Sequence, residues 1–307
     1  MSKQSIAVIG PTASGKTHRA VCIAKALGGE IISADSRQVY RCMDIGTGKD
    51  LEEYDGVPYH LIDIADPGDK YNLHRYLRDF HEAYSCLLRD RVVPVVCGGS
   101  GMYVENALKG IRLPDVPVNP GLRDSLKGYS LAELTMMLSG MKSLHNSTDV
   151  DSCQRAIRAI EIQKYYLDNP CEAAAAEVEN AHPLDSLVVG IDVPRDVRRE
   201  RISERLRARL DKGMVDEIKG LIDRGVNPED LIYYGLEYKF VTLYVIGQIS
   251  FDEMFSRLET AIHQFAKRQM TWFRGMEKRG TCIHWLPYDM SDSDFISEVS
   301  RMFRDFG

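Results

Sequence analysis

The 307-residue chain is 44% hydrophobic and 27% charged, the balance of an ordinary soluble globular protein, and its length allows about two domains or one with an insertion. No apolar run approaches the ~20 residues that a membrane span needs, and seven scattered cysteines without a C-x-x-C pair speak against a disulfide framework or a zinc module. The formal net charge of −6 is unlike that of a nucleic-acid binder, but the basic charge is concentrated late: residues 195–212 hold eight Lys/Arg against four Asp/Glu, and 267–279 hold five against one. Such runs are also what a solvated helix face looks like.

The opening MSKQSIAVIG runs into a buried-strand pattern at 5–9 instead of a signal peptide, so a cytoplasmic protein without a membrane anchor is expected. Gly10-Pro11-Thr12-Ala13-Ser14-Gly15-Lys16-Thr17 then fits G-x-x-x-x-G-K-[ST] ahead of a helix over 17–27 that stops at Gly28-Gly29. Glycines let the backbone curl so that N–H groups of Gly10, Thr12, Ala13, Ser14 and Gly15 converge on one anion, and the helix adds its positive end. Lys16 supplies a mobile charge, and the Thr17 hydroxyl is a ligand for Mg²⁺.

A second strand at 30–33 leads into Asp35-Ser36-Arg37-Gln38, where an open parallel sheet presents residues to its ligand crevice. There Asp35 can orient Mg²⁺, take a proton from an attacking amine, or simply cap the next turn. Arg37 and Gln38 are multidentate, and Gln suits adenine. A strand-like stretch at 60–64, with His60 as a structural histidine, is closed by Asp66-Pro67-Gly68. A helix over 71–89 and a valine-rich strand at 92–97 follow. That strand ends in Gly98-Gly99-Ser100-Gly101 and lacks the terminal Asp usual in a kinase or ATPase. Alternating strands and helices imply a parallel sheet with crossover helices.

From Pro114 the texture changes. Pro114, Pro117, Pro120 and Gly121 make a linker-like stretch, and 122–144 shows short helical patterns without strands, so 114–150 reads as a small helical insertion. Beyond it come a helix over 153–167, an alanine-rich acidic stretch at 172–182 that suits an exposed helix or loop, and a strand at 187–193. One or two charged helices over 195–224 and an amphipathic helix over 251–274, capped by Ser250 with Glu253 three residues on, follow. On the last helix Trp272 and Phe273 read as core, whereas Lys267, Arg268 and Arg274 suit either phosphate contact or a solvated face.

The segments GPTASGKT at 10–17, ISADSRQVYRCMDIGTGK at 32–49, YHLIDI at 59–64, GGSGMYVENALKG at 98–110, QRAIRAIE at 154–161 and FAKRQMTWFRG at 265–275 span nearly the whole chain. In this combination and order the sequence resembles the tRNA dimethylallyltransferases (tRNA isopentenyltransferases). The resemblance implies an α/β fold: a P-loop-containing parallel sheet flanked by helices, with a small helical insertion domain. Residues 1–113 would be the first part of the core, 114–150 the grip on the tRNA anticodon stem-loop, and 151–307 the completion of the core with basic helices. It further implies a prenyltransferase that moves a dimethylallyl group from dimethylallyl diphosphate to the N6 amine of the adenosine 3′-adjacent to the anticodon, with Mg²⁺ and without a zinc finger; a monomer is expected.

Carried over by residue, Asp35 would be the general base, with Lys16 and Ser100 beside it. Lys16 and Thr17 would bind diphosphate and Mg²⁺, and Gly98, Gly99, Ser100 and Gly101 would hold the diphosphate and shape the channel. Ser36 and Arg37 would line the substrate site, and Gln38 would contact the target adenine. Arg155 and Arg158 would clamp the leaving group, and Gln154, Lys267, Arg268, Gln269 and Arg274 would face tRNA. The chain departs from the family pattern at Tyr234-Gly235-Leu236-Glu237-Tyr238-Lys239, Ile262-His263-Gln264 and Asp151-Ser152. An adenylate isopentenyltransferase acting on free AMP, ADP or ATP, a divergent tRNA-binding paralogue and a P-loop small-molecule kinase are the alternatives.

Overall fold

The computed structural model describes residues 4–113, 115–142, 148–172 and 182–305. They fall into two units, Met1–Gly110 with Pro183–Gly307, and Ile111–His182. In the first unit, β1 (Ser5–Ile9), β2 (Gly29–Ser33), β3 (Tyr59–His60), β4 (Val93–Gly98), β5 (Ser186–Asp192) and β6 (Ile283–Pro287) form one sheet in the order β3-β2-β4-β1-β5-β6. Every pairing is parallel. Helices α1 (Lys16–Leu27), α2 (Leu73–Arg89) and α3 (Gly101–Leu108) belong to the first unit, and α4 (Pro120–Leu126), α5 (Leu131–Ser139) and α6 (Cys153–Asp168) to the second. The first unit is completed by α7 (Arg195–Asp211), α8 (Met214–Asp223), α9 (Pro228–Tyr234), α10 (Leu236–Val245), α11 (Phe251–Lys278) and α12 (Asp292–Asp305).

The sheet explains the apolar runs. β1 is buried at all five positions, as a central parallel strand covered on both faces requires. The strands read at 5–9, 30–33 and 92–97 are neighbours, in the order β2-β4-β1. The strand expected over 60–64 pairs only at Tyr59 and His60. Leu61 (φ 63°) and Asp63 (φ 56°) adopt left-handed backbone, which an extended strand cannot continue through. His60 is structural, with Nε2 2.8 Å from Glu30 Oε2. The charged stretch 195–224 divides into α7 and α8 at Gly213, whose φ of 101° breaks the helix. Ser250 caps α11, its hydroxyl accepting from the Glu253 N–H at 3.2 Å, and the helix runs past the expected end to Lys278. Among the described residues no helix is long and apolar enough to cross a membrane.

The second unit extends further than the boundary at 150 read from the sequence. Helix α6 belongs to it because Ala156, Ala159 and Ile160 pack against Leu126, Leu134 and Leu138 in one small core, and the chain rejoins the sheet only at β5. Pro114, residues 143–147 and the alanine-rich stretch 173–181, expected as linker, helix end and exposed helix or loop, lie outside the described residues.

Glu161 is the polar anchor of this unit. Its carboxylate, 1% exposed, accepts from Asn119 N at 2.6 Å, from Arg123 Nε and Nη2 at 3.1 and 2.8 Å, and from Arg158 Nη1 at 2.5 Å. Burial works to raise its pKa, but these donors, Arg123 foremost, pull it down to about 2. A carboxyl depressed on folding contributes stability that is fully present above its unfolded pKa and is lost as pH falls toward the folded one. Glu161→Gln is expected to cost about 2–3 kcal/mol at neutral pH, because a charged, multiply bonded acceptor is removed. In acid titration, amide exchange of α6 should show the native protein losing this advantage between its ordinary carboxyl range and about pH 2, with the variant flat across that window.

Candidate active site

At the carboxyl end of β1 the chain turns through residues 10–15 into α1. Ala13 (φ 61°) and Gly15 (φ 80°) are both left-handed, which swings successive N–H groups toward one point at the helix N-terminus. Ser14 is 3% exposed, and its hydroxyl has no hydrogen-bond partner among the described residues. Lys16, Thr17, Asp35 and Ser100 line one cavity of about 520 Å³, so the ends of β1, β2 and β4 meet as the sheet topology requires. Every residue lining this cavity belongs to the first unit.

The approach of β2 to β4 depends on Gly98. A Cβ there would overlap the Ala34 carbonyl, which accepts from Ser100 N at 3.3 Å, while Ala34 N donates to Cys97 O at 2.7 Å. Ser100 Oγ in turn accepts from Ser36 N at 3.1 Å, tying the segment after β2 to the glycine loop after β4. Asp35 Oδ1 accepts from Arg37 N at 2.9 Å. The turn-capping and site readings of Asp35 therefore coexist: one oxygen holds the turn, and the residue still lines the cavity.

Gln38 differs from expectation. It is 8% exposed; its Oε1 accepts from Ser33 Oγ at 3.0 Å and its Nε2 donates to Gly48 O at 3.2 Å. It lines the cavity, as a substrate-site residue should, but the amide expected to pair with adenine makes these two bonds within the protein, where they hold the 38–48 loop. Gln269 is a second correction. Expected on a tRNA-facing surface, it is 6% exposed. Its Oε1 accepts from Thr12 N at 2.8 Å and its Nε2 donates to Gly99 O at 2.8 Å. A Cβ on Gly99 would occupy the place of that amide. Helix α11 therefore clamps the P-loop to the loop after β4.

Sequence reasoning left out several residues that build the cavity. Arg205 and Arg209, one turn apart on α7, line it, although their run reads as a solvated face. The available signal was spacing: Ile202 and Leu206, buried on the same helix, show that this face packs inward. Arg205 Nη2 lies 2.6 Å from Asp50 Oδ2, whereas Arg209 stands 3.6 Å from Asp50 and 3.7 Å from Glu237, and its Nε has no hydrogen-bond partner among the described residues. Glu217 of α8 accepts from the N–H groups of Asp44, Ile45 and Gly46 at 2.8, 2.6 and 3.1 Å and from the Tyr238 hydroxyl at 2.7 Å. Lys49 is fully buried on Tyr40 O (2.7 Å), Asp44 Oδ1 (2.6 Å) and Asp63 Oδ1. Together these fix the 44–49 segment along the cavity wall.

The wall carries six Lys/Arg residues and two carboxylates, Asp35 and Glu237. Burial pushes the Lys16 ammonium below its ordinary pKa, opposed by Cys97 and Asp35 and reinforced by Arg205 and Arg209. Arg209 is likewise lowered, by burial first and then by Arg205. Burial raises Glu237 against the pull of Arg209. An anion in the cavity would relieve the crowding of these cations.

Of the other predicted residues, Lys267, Arg268 and Arg274 are exposed on α11, and Arg268 also lines the cavity. Phe273 is core at 0% exposure; Trp272 is not, at 40%, with its indole N–H 2.8 Å from Glu105 Oε2. Gln154, Arg155 and Arg158 lie on α6 in the second unit. Gln154 is exposed, Arg155 pairs with Asp151, and Arg158 donates to Glu161 and to Val116 O at 2.8 Å. Gln269→Leu is expected to leave two backbone groups unpartnered at a cost of about 1–3 kcal/mol each where they stay dry. Urea unfolding should show the loss, and amide exchange at Thr12 should accelerate.

Comparison with known proteins agrees with this geometry. The family model described as IPP transferase matches residues 38–276, and that described as isopentenyl transferase matches residues 4–56. The chain is 60% identical over 302 residues to a protein of Porphyromonas gingivalis named tRNA dimethylallyltransferase 1, covering 97% of this chain and 98% of the relative. It is 55% identical over 308 residues to a protein of that name from Parabacteroides distasonis, covering 99% of each. The crystal structure of the full-length tRNA isopentenylpyrophosphate transferase of Bacillus halodurans superposes with a TM-score of 0.71 at 31% identity, covering 99% of this chain and 97% of that one. With a phosphate loop, an acid after the second strand and the glycine loop after the fourth strand gathered at one cavity, and with this likeness over its whole length, the chain belongs to the tRNA isopentenyltransferase (IPP transferase) family of prenyltransferases.

Proposed function

We propose that this protein transfers the dimethylallyl group of dimethylallyl diphosphate to the N6 amine of the adenosine 3′-adjacent to the anticodon of tRNA. The observation that carries this reading is the shared cavity of Lys16, Thr17, Asp35 and Ser100: an anion cradle with a carboxylate beside it. Such a pairing suits displacement of diphosphate by an amine. The names of the relatives at 55–60% identity support the same reaction and acceptor.

In the proposed step the bond between the allylic carbon and the diphosphate oxygen breaks, the carbon–N6 bond forms, and the amine proton passes to Asp35. The charge of the departing diphosphate would be met by the N–H groups of the P-loop, the unpartnered Ser14 hydroxyl, Lys16, Arg205 and Arg209. The Thr17 hydroxyl is a hard oxygen donor of the kind Mg²⁺ takes, and the ion, when bound, would neutralise charge on the diphosphate. The target base must leave its stack at a cost of a few kcal/mol, which is least in a single-stranded loop. The exposed cations of α11 would then add salt-dependent attraction to the RNA backbone.

The reading is tested by giving the purified protein dimethylallyl diphosphate and Mg²⁺ with unmodified tRNA, an anticodon stem-loop, or AMP, and analysing nucleosides by mass. Prenylated adenosine in tRNA and not in AMP is expected; the reverse would assign an adenylate isopentenyltransferase, and transfer of a labelled γ-phosphate in a parallel reaction supplied with ATP would assign a kinase. Asp35→Asn should lower single-turnover transfer by about 10²–10⁴-fold while tRNA and diphosphate binding survive. Neutral substitution of Lys267, Arg268 and Arg274 together should weaken tRNA binding and flatten its dependence on salt, by about one slope unit for each phosphate that is no longer neutralised.

A further inference from the structure

Outside the cavity, α1 and α12 bring together a set of metal-ligating side chains that the proposed reaction does not use. His18 and Cys22 stand four residues apart on α1, and Asp292 opens α12. His18 Nε2 lies 2.9 Å from Asp292 Oδ2 and 3.6 Å from Cys22 Sγ. All three donor atoms fall within 4.8 Å of one another. We propose that His18, Cys22 and Asp292 form a binding site for a divalent cation of the zinc class, which fastens α12 to the helix of the phosphate loop.

The geometry and the donor chemistry agree. Four ligands at about 2.0–2.3 Å in a tetrahedron stand roughly 3.3–3.8 Å apart. The Cys22–His18 separation of 3.6 Å already fits, and the 2.9 Å His18–Asp292 hydrogen bond needs to open only slightly as the cation replaces its proton. One thiolate, one imidazole and one carboxylate select zinc or cobalt over magnesium, so the site is distinct from the oxygen donors at Thr17. His18 is exposed, which leaves the fourth position to water.

Asp292 is held for this role from behind. Its other oxygen, Oδ1, accepts from Arg19 Nη1 at 2.6 Å. Arg19 in turn donates to Tyr288 O at 3.3 Å and to Met290 O, and lies 4.9 Å from the centre of the Phe295 ring. The guanidinium charge is thus already matched by one carboxylate oxygen, and the other, Oδ2, faces the imidazole. A thiol binds such a cation as the thiolate and gives up its proton on binding, so acid should weaken binding.

The test is a titration of the chelator-treated full chain with Co²⁺. A thiolate-to-cobalt absorption band is expected, with zinc displacing it. Cys22→Ser should abolish the band, and Asp292→Asn should weaken cobalt binding by about tenfold or more. Cys282 Sγ lies 3.5 Å from His284 Nε2 and supplies the control: Cys282→Ser should leave the band unchanged. Metal-free melting curves report whether each variant is folded. In the native chain, independently of any variant, zinc should slow alkylation of Cys22. Absence of the band with cobalt in large excess, a band that survives Cys22→Ser, or alkylation of Cys22 unaffected by zinc would overturn the proposal.

Discussion

The active-site geometry depends on one side-chain amide. Gln269 accepts from Thr12 N and donates to Gly99 O, both at 2.8 Å, and so fixes the distance between the P-loop and the glycine loop after β4. Each of those loops leaves its strand with backbone groups that the sheet does not pair, and dry unpaired groups are costly. One planar amide satisfies a donor on one loop and an acceptor on the other, from a helix anchored by Leu258, Ile262, Ala266, Phe273 and Met276. The seven-residue rhythm from Ile262 to Gln269 keeps the amide on the buried stripe of α11. The exposed cations of the same helix, Lys267, Arg268 and Arg274, occupy the complementary arc.

Around that clamp the cavity is electrostatically unfinished. Lys16, Arg205 and Arg209 crowd one another, and burial makes the charge on Lys16 and Arg209 harder to hold. Asp50 relieves Arg205, but among the described residues Arg209 has carboxylates only at 3.6 and 3.7 Å and an Nε without a partner. An under-satisfied buried cation is a liability for stability and an asset for binding, because an entering anion meets donors that need no rearrangement. The protein holds the arrangement through bonds made away from the anion itself. Glu217 takes three backbone N–H groups of the 44–46 segment, and Lys49 is enclosed by three oxygens.

The departures from the family pattern also acquire a physical place. Tyr234 is a core residue, its ring 4.4 Å from that of Tyr40 and its hydroxyl accepting from Gly68 N at 2.6 Å. Arg37, from the segment after β2, lies 5.6 Å from the centre of the Tyr234 ring, within reach of a cation–π contact. Glu237 is carried just past Leu236, a non-glycine residue at φ 43°, and ends beside Arg209. A strained turn that delivers a carboxyl to a buried guanidinium is consistent with local backbone cost being met by tertiary packing.

What the sequence by itself determined is what depends on near neighbours. The phosphate loop, the buried runs of β1 and β4, the capped start of α11 and the order of strands and helices all follow from spacing and composition within a few residues. Asp35 and Ser100 were legible too, because strand ends in a parallel sheet face one crevice. The tertiary structure decided the rest. Nothing near Gln269 reveals that its partners are Thr12 and Gly99, and nothing near Gln38 reveals that its amide is engaged by Ser33 and Gly48. The basic run of α7 could not be divided into solvated and cavity-lining arginines until its packing was known, and α6 read as core because its apolar face carries no label for the helices it meets. Periodicity states which face of an element is buried; only the assembled fold states against what, because burial is a property of pairs of surfaces distant in the chain.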